Sequence, residues 1–118
     1  MDVKKTLLDI VSGAGEAGKT VVSASRDIVK EGAGTVGDLV HAVFEIAKET
    51  GKDAEELTKE VVMGAVDAVK ETVGQSQDAT AGVLTEAEKA AGDLAEEGGE
   101  AVRKGVAKAK EILQEPLK

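Results

Sequence analysis

The stretch GAGEAGKT, residues 13–20, contains residue types that could bind a phosphate group. It fits the pattern of Gly, any four residues, Gly, Lys and then Ser or Thr, with Gly13, Gly18, Lys19 and Thr20 at the defining positions. In a phosphate-binding loop, backbone N–H groups and the lysine hold the phosphates, and the loop joins a strand to a helix. The surrounding sequence therefore decides whether this match can bind a nucleotide.

The pattern around the motif predicts a helix instead of a strand and a loop. Small or apolar residues recur from residue 3 to residue 28 at alternating spacings of four and three, which only an α-helix places on one face. A polar track that includes Glu16 and Lys19 keeps the same spacing. In addition, DIVSGAGEAGKTVV resembles the later segment DIVKEGAGTVGDLV, which keeps the small residues but lacks the Lys-Thr pair, so packing explains the repeated pattern better than phosphate binding does. We predict one continuous helix over residues 2–31, in which the motif is a decoy that binds no nucleotide.

Other residues that could do chemistry lack the partners they would need. His41 is the only histidine and lies on a polar helix face with Glu45, so it has no second histidine or cysteine for a transition-metal site. Ser23 and Ser25 have no histidine at a recognisable spacing, which leaves nucleophilic catalysis without support. Phe44 is expected to anchor the core.

Two clusters of carboxylates suggest calcium binding or acid–base chemistry: Asp53, Glu55 and Glu56, and then Glu96, Glu97 and Glu100. Neither cluster fits, because calcium loops alternate oxygen ligands around a glycine turn and catalytic carboxylates need a partly apolar cleft. We interpret both clusters as solvated helix faces. Arg26, Arg103 and Lys104 could bind an anionic group or pair with nearby acids. We predict no catalytic residue, no metal site and no cofactor, and hence no enzyme.

The composition predicts one domain with a thin core. The chain has 118 residues, and Leu, Ile, Val and Phe make up about a quarter of them, above the roughly 20% below which charged chains stay disordered. The apolar residues are mostly Val and Ala, with one Phe and no Trp or Tyr. Each buried position therefore removes less surface from water than in an ordinary core. Self-association would supplement such a core.

The net charge and the hydropathy pattern limit the partners and the location. A formal net charge of -8 argues against nucleic acid and anionic membranes as main partners, since both are bound through excess Lys and Arg. No apolar run is long enough to cross a membrane, and the N-terminal piece TLLDIV is too short and too acidic for a secretory signal. The absence of cysteine excludes disulfides and thiolate metal sites. We expect a soluble, cytoplasmic protein.

Charge is distributed unevenly along the chain. Residues 53–100 carry a net charge of -10, whereas residues 101–118 carry +3. A basic last helix after an acidic middle segment is expected to lie against it, within one chain or between copies. The alternative is a solvated tail without a partner.

Capping signals divide the rest of the chain into helices. Thr35 and Asp38 have the spacing of a capping box, Gly51 is placed to end that helix, and Asp53 with Glu56 repeats the spacing. The EEGG segment is expected to end a later helix. The predicted helices span residues 2–31, 35–50, 53–73, 79–97 and 100–115. We predict a single all-α domain over residues 1–118, an antiparallel bundle of four to five amphipathic helices with a thin Ala/Val/Gly-rich core.

Small residues lie on or beside many of the apolar stripes, including Gly64 and Gly105. Small side chains let helix axes approach closely, which increases backbone contact while less side-chain volume is buried. This pattern favours an oligomer, an apolar surface as partner, or conditional folding.

Two segments, AKETGKDAEELTKEVV and LTEAEKAAGDLAEEGGEAVRKGVAKAKEIL, resemble the Ala-, Glu-, Lys- and Gly-rich helices of late-embryogenesis-abundant stress proteins. KEGAGTVGDLVHAV is similar to the Lys-Glu-Gly-Val repeats of synucleins. The resemblance implies amphipathic helices that fold conditionally and protect membranes or proteins, and it implies no catalytic residues. The apolar spacing here is close to sevenfold, and the capping signals are sharp, which favours a stable bundle.

Two functions follow as hypotheses. The first is a non-enzymatic helical protein that packs against copies of itself or against another helical protein, as a scaffold or in stress protection. The second is a binder of lipid or storage-granule surfaces that lays its Val and Ala faces on an apolar boundary. The near absence of aromatic residues counts against the second, and a nucleotide binder is a remote third.

Overall fold

A computed structural model of the chain describes residues 3–13, 20–73, 77–94 and 96–114, and these residues form six α-helices and no strand. The helices are α1 (Val3–Val11), α2 (Val21–Lys30), α3 (Val36–Thr50), α4 (Ala54–Val73), α5 (Gln77–Gly92) and α6 (Glu96–Gln114). The predicted all-α fold is confirmed. The predicted number of four to five helices is wrong, because the first predicted helix is two helices.

The prediction of one helix over residues 2–31 fails at GAGEAGKT. Helix α1 ends at Val11, and Gly13 follows it with φ 83°, in the left-handed region that glycine adopts without a steric penalty. Helix α2 begins at Val21 because Thr20 caps it, its hydroxyl accepting a hydrogen bond of 3.1 Å from the Ser23 N–H. Residues 14–19 lie outside the described part of the chain. Turn and capping chemistry thus overrides the helical spacing here.

The boundary signals around α3 are confirmed. The Thr35 hydroxyl accepts from the Asp38 N–H at 3.2 Å, and the Asp38 carboxylate accepts from the Thr35 N–H at 3.0 Å, which is a complete capping box. Gly51 ends the helix in the left-handed conformation, with φ 74°. The Asp53 carboxylate then accepts from the Glu55 N–H at 3.0 Å at the start of α4.

The boundary between the last two helices is not where it was predicted. Helix α5 ends at Gly92 and α6 begins at Glu96, whereas the predicted helices were 79–97 and 100–115. Gly99, expected to terminate a helix, lies inside α6 instead. A Cβ atom on Gly99 would lie 3.1 Å from the Ala91 carbonyl oxygen, so this glycine allows the first turns of α6 to pass close to the end of α5.

The core consists mainly of small side chains, as the composition predicts. Among the described residues, 24 hydrophobic side chains are buried, and ten of these are Val and eight are Ala. Phe44 is only half-buried and packs at the edge of this core. The radius of gyration is 13.0 Å, close to the ~13 Å typical of folded chains near this length. The small side chains therefore still close into a compact fold.

Helix α4 lies at the centre and packs most extensively against α2 and α6. Gly64 of α4 faces the α2 backbone between Val22 and Arg26, and Glu71, further along α4, pairs with Lys30, further along α2. The helices α2 and α4 therefore run in the same direction, with α3 between them in sequence.

Helix α6 runs against α4 in the opposite sense. Gly105 lies over Thr58, while Lys108, later in α6, pairs with Glu55, earlier in α4. Lys108, in the basic part of α6, thus pairs with the acidic start of α4 within one chain. The contacts therefore combine one parallel and one antiparallel neighbour of α4.

Candidate functional site

The phosphate-loop match does not have the surroundings of a phosphate-binding loop. A helix, α1, precedes it where a strand would be required, and the Thr20 hydroxyl is used as the cap of α2. Gly13 is exposed after α1, with no described residue within 4 Å of the position of a Cβ atom. Gly18 and Lys19 lie outside the described residues.

His41 is exposed on the surface of α3. Glu45 lies 3.9 Å from the Lys4 ammonium group, and Glu49 lies 3.0 Å from it, so Lys4 ties α1 to α3. The Lys48 ammonium group lies 5.3 Å from the centre of the half-buried Phe44 ring, within the range of a cation–π contact. The Lys4 ion pairs thus join two helices, whereas the Lys48–Phe44 contact lies within α3.

The first acidic cluster is occupied by structural contacts. Asp53 caps α4, Glu55 pairs with Lys108, and Glu56 pairs with Lys59 at 2.7 Å. The hydrogen bond to Glu55 raises the pKa of the Lys108 ammonium group above its usual value.

In the second cluster, Glu100 lies 3.6 Å from Lys104, and the side chains of Glu96 and Glu97 lie outside the description. Arg103 is exposed on the same helix. Within the described residues, no group of three His, Cys, Asp or Glu side chains is arranged to hold a metal ion.

Glu60 of α4 has a carboxyl group whose pKa is raised above its usual value. Partial burial raises the pKa of the Glu60 carboxyl, and the Glu56 carboxylate one turn away raises it further, while Lys59 lowers it. The charged form of Glu60 therefore destabilises the fold relative to the neutral form.

The distinctive contacts are two helix crossings on α4. At the first, a Cβ atom on Gly64 would collide with the Val22 carbonyl oxygen and lie 2.7 Å from the Ser25 Cβ. At the second, a Cβ atom on Gly105 would collide with the Glu55 carbonyl oxygen and lie 2.6 Å from the Thr58 Cβ. Real Cβ atoms do not approach other atoms so closely, so only glycine allows these backbones to meet.

Each crossing buries a hydroxyl without a partner. Ser25 and Thr58 are both 0% exposed, and neither Ser25 Oγ nor Thr58 Oγ1 has a hydrogen-bond partner. A buried hydroxyl left unsatisfied costs about 1–3 kcal/mol. Arg26, next to Ser25, also has a buried Nε without a hydrogen bond, and the closest carboxylate oxygen of Glu71 is 4.0 Å away.

The two crossings share one arrangement. In each, a glycine faces a carbonyl oxygen of the neighbouring helix and the Cβ atom of a hydroxyl residue three positions further along that helix. Gly64 faces the Val22 carbonyl and Ser25 of α2. Gly105 faces the Glu55 carbonyl and Thr58 of α4. The sequences that present these surfaces are also alike, ASRDIV at residues 24–29 and LTKEVV at residues 57–62. The same crossing thus occurs twice along α4.

The sequence predicts only part of this arrangement. Gly64 and Gly105 lie on or beside apolar stripes, whereas Ser25 stands out only as a possible nucleophile and Thr58 does not stand out at all. The signal that could have found both is the repeat of a hydroxyl residue followed by a basic, an acidic and two β-branched residues.

Comparisons with protein-family models, with curated proteins and with solved structures find no match to this chain. In the described part of the chain, no helix has both the length and the apolar character needed to cross a bilayer. The fold itself defines a compact, all-α protein organised around one central helix.

Proposed function

We propose that the protein is a non-enzymatic, acidic helical protein of the cytoplasm that acts through helix–helix packing, with copies of itself or with another helical protein. The observation that carries this proposal is the pair of glycine crossings on α4. At both crossings helix backbones pack together without bulky side chains, and we propose packing of the same kind with copies of the chain or with another helical protein.

The uses of the polar residues support the same proposal. Thr20, Thr35 and Asp53 cap helices, and Lys4 and Lys108 join one helix to another. These side chains, whose residue types occur in catalytic and binding sites, thus position the helices.

Light scattering across a dilution series tests self-association. We expect the average mass to rise above that of one chain as the concentration increases, because a thin Val and Ala core gains stability by burying more apolar surface. A constant mass of one chain up to millimolar concentration would contradict self-association. The protein would then act only by packing against another helical protein.

Binding to a lipid or storage-granule surface is the second candidate. The core composition favours this candidate. Helices held together by Val and Ala bury less apolar surface than helices held by larger side chains, so their separation costs less free energy. Circular dichroism with and without lipid vesicles separates the two candidates. Helicity and cooperative melting in plain buffer support the bundle, whereas helicity that develops only with vesicles supports the lipid binder.

Nucleotide binding, the remote candidate, is tested by thermal unfolding with ATP or GTP and magnesium. A ligand that binds the native state raises its stability. An unchanged melting temperature at millimolar nucleotide would exclude this candidate.

A further inference from the structure

One side of α4 carries two carboxylates, Glu60 and Asp67, on either side of the half-buried Met63. The three residues lie on one face of the helix, and we call them the acidic strip. In the described part of the chain no ion pair joins Glu60 or Asp67 to a basic side chain, and Lys59, next to Glu60, pairs with Glu56. Burial and the Glu56 carboxylate raise the pKa of the Glu60 carboxyl, so a cation placed beside Glu60 would favour its charged form.

The outer side of α6 carries the reverse arrangement. Arg103, Ala107 and Lys110 lie on one face of this helix, and all three are exposed; we call them the basic strip. No carboxylate of a described residue lies within ion-pair distance of Arg103 or Lys110, whereas Lys104 and Lys108 of the same helix are both used in ion pairs.

The two strips match each other when their helices run in opposite directions. Along the acidic strip the spacing is three residues and then four, and along the basic strip, read back from Lys110, it is again three and then four. The charges of each strip are therefore separated by about 10 Å along the helix axis. Antiparallel packing gives three opposed pairs: Glu60 with Lys110, Met63 with Ala107, and Asp67 with Arg103.

The two strips of one chain cannot meet. Helix α6 packs on the side of α4 that carries Thr58, which lies against Gly105. Asp67 follows Thr58 by nine residues, which is two and a half helical turns, so the acidic strip lies on the opposite side of α4. The basic strip that matches it therefore belongs to another copy.

We propose that copies of the chain associate head to tail, with the basic strip of one copy packed antiparallel on the acidic strip of the next. The inference rests on the proposed function and names its partner, a second copy of this chain. Met63 and the small Ala107 supply an apolar contact between two ion pairs, and the short alanine lets the helices approach closely. Because the strips are different surfaces, association continues into open chains or closed rings.

Charge reversal tests this contact. One strip variant, Glu60→Lys with Asp67→Lys, reverses the acidic strip, and the other, Arg103→Glu with Lys110→Glu, reverses the basic strip. An exposed ion pair contributes a factor of roughly three to an equilibrium constant. Each variant replaces two attractions by two repulsions, so its own association should weaken by roughly a hundredfold.

The matched controls make the same changes in net charge at exposed positions outside both strips. Glu86→Lys with Glu88→Lys controls for the first strip variant, and Lys52→Glu with Lys89→Glu controls for the second. Circular dichroism of every variant establishes that it is folded. If the first strip variant is not folded, Glu60→Gln with Asp67→Asn takes its place and should weaken association roughly tenfold.

Light scattering at increasing concentration gives the result. We expect the unmodified chain and both controls to associate, and each strip variant alone to remain a single chain at concentrations where its control associates. An equimolar mixture of the two charge-reversed strip variants should associate again, because each reversed strip meets a strip of opposite charge in the other variant.

The failure of this contact is distinguishable from the failure of self-association. If the strip variants, or the neutral Glu60→Gln with Asp67→Asn variant, associate as strongly as the controls, the head-to-tail contact is wrong while self-association stands. A mixture of the two charge-reversed variants that stays as single chains would also overturn the contact. If the unmodified chain does not associate, both the contact and self-association are wrong.

Discussion

The crossing of α2 and α4 predicts opposite outcomes for the same substitution at two helical glycines. Gly64→Ala places a Cβ atom against the Val22 carbonyl oxygen and 2.7 Å from the Ser25 Cβ. Gly82→Ala, inside α5, places a Cβ atom with no described neighbouring atom within 4 Å. Both changes raise helix propensity by about 1 kcal/mol, so any difference between them measures the crossing itself.

The magnitude follows from the distances. Carbon atoms in contact lie about 3.5–4.0 Å apart, so α2 and α4 must separate by roughly 1 Å around Gly64. Overpacking of this kind costs about 1–3 kcal/mol, and the upper end applies because one colliding atom belongs to the backbone. After the gain in propensity, Gly64→Ala should destabilise the fold by about 2 kcal/mol, while Gly82→Ala should stabilise it by about 1 kcal/mol.

Urea denaturation followed by circular dichroism measures both values, with all variants at one protein concentration because association shifts the apparent stability. The expected separation between the two variants is about 3 kcal/mol in the free energy of unfolding. A Gly64→Ala protein as stable as the Gly82→Ala protein would refute the close approach of α2 and α4.

Three further predictions follow from single side chains. Ser25→Ala and Thr58→Val each remove a buried hydroxyl that has no hydrogen-bond partner. Each substitution should therefore raise the free energy of unfolding, measured by urea denaturation, by about 1 kcal/mol. A lower free energy of unfolding would instead indicate that the hydroxyl has a hydrogen-bond partner. Because the pKa of Glu60 is raised in the folded state, its stabilising contribution is present below its unfolded pKa and is lost as pH rises through the folded pKa. Glu60→Gln should therefore stabilise the protein at neutral pH, with the gain disappearing in acid, and a gain independent of pH would contradict this reasoning. Thr35→Ala removes the capping box of α3 and should lower the melting temperature, at a cost of about 1 kcal/mol, while an unchanged melting temperature would show that the cap is dispensable.

The sequence predicts those features of the fold that depend on nearby residues. The capping box of Thr35 and Asp38 and the helix end at Gly51 need only a few neighbouring residues, and both are confirmed. The prediction of a single helix over residues 2–31 was wrong because it was based on residue spacing alone. Spacing contains no information on the left-handed conformation of Gly13 or on the capping of a new helix by Thr20. Local chemistry therefore outweighs periodicity at this point.

The crossings could not be predicted from spacing, because they depend on which helices meet. Gly64 and Gly82 are both glycines within helices, yet Gly64 touches another backbone, whereas Gly82 is exposed and meets no atom of another described residue within 4 Å. Ser25 and Thr58 lie in similar hexapeptides, but nothing in those peptides identifies the glycine that each one faces. The pairing is set by the fold as a whole, around α4.

Nuclear Overhauser contacts measured in plain buffer test the two glycine crossings of α4 directly. We expect strong contacts from the Gly64 α-protons to the Ser25 β-protons and from the Gly105 α-protons to the Thr58 side chain, together with helical chemical shifts. Chemical shifts of an unfolded chain, or a folded chain in which both sets of contacts are absent, would contradict this expectation.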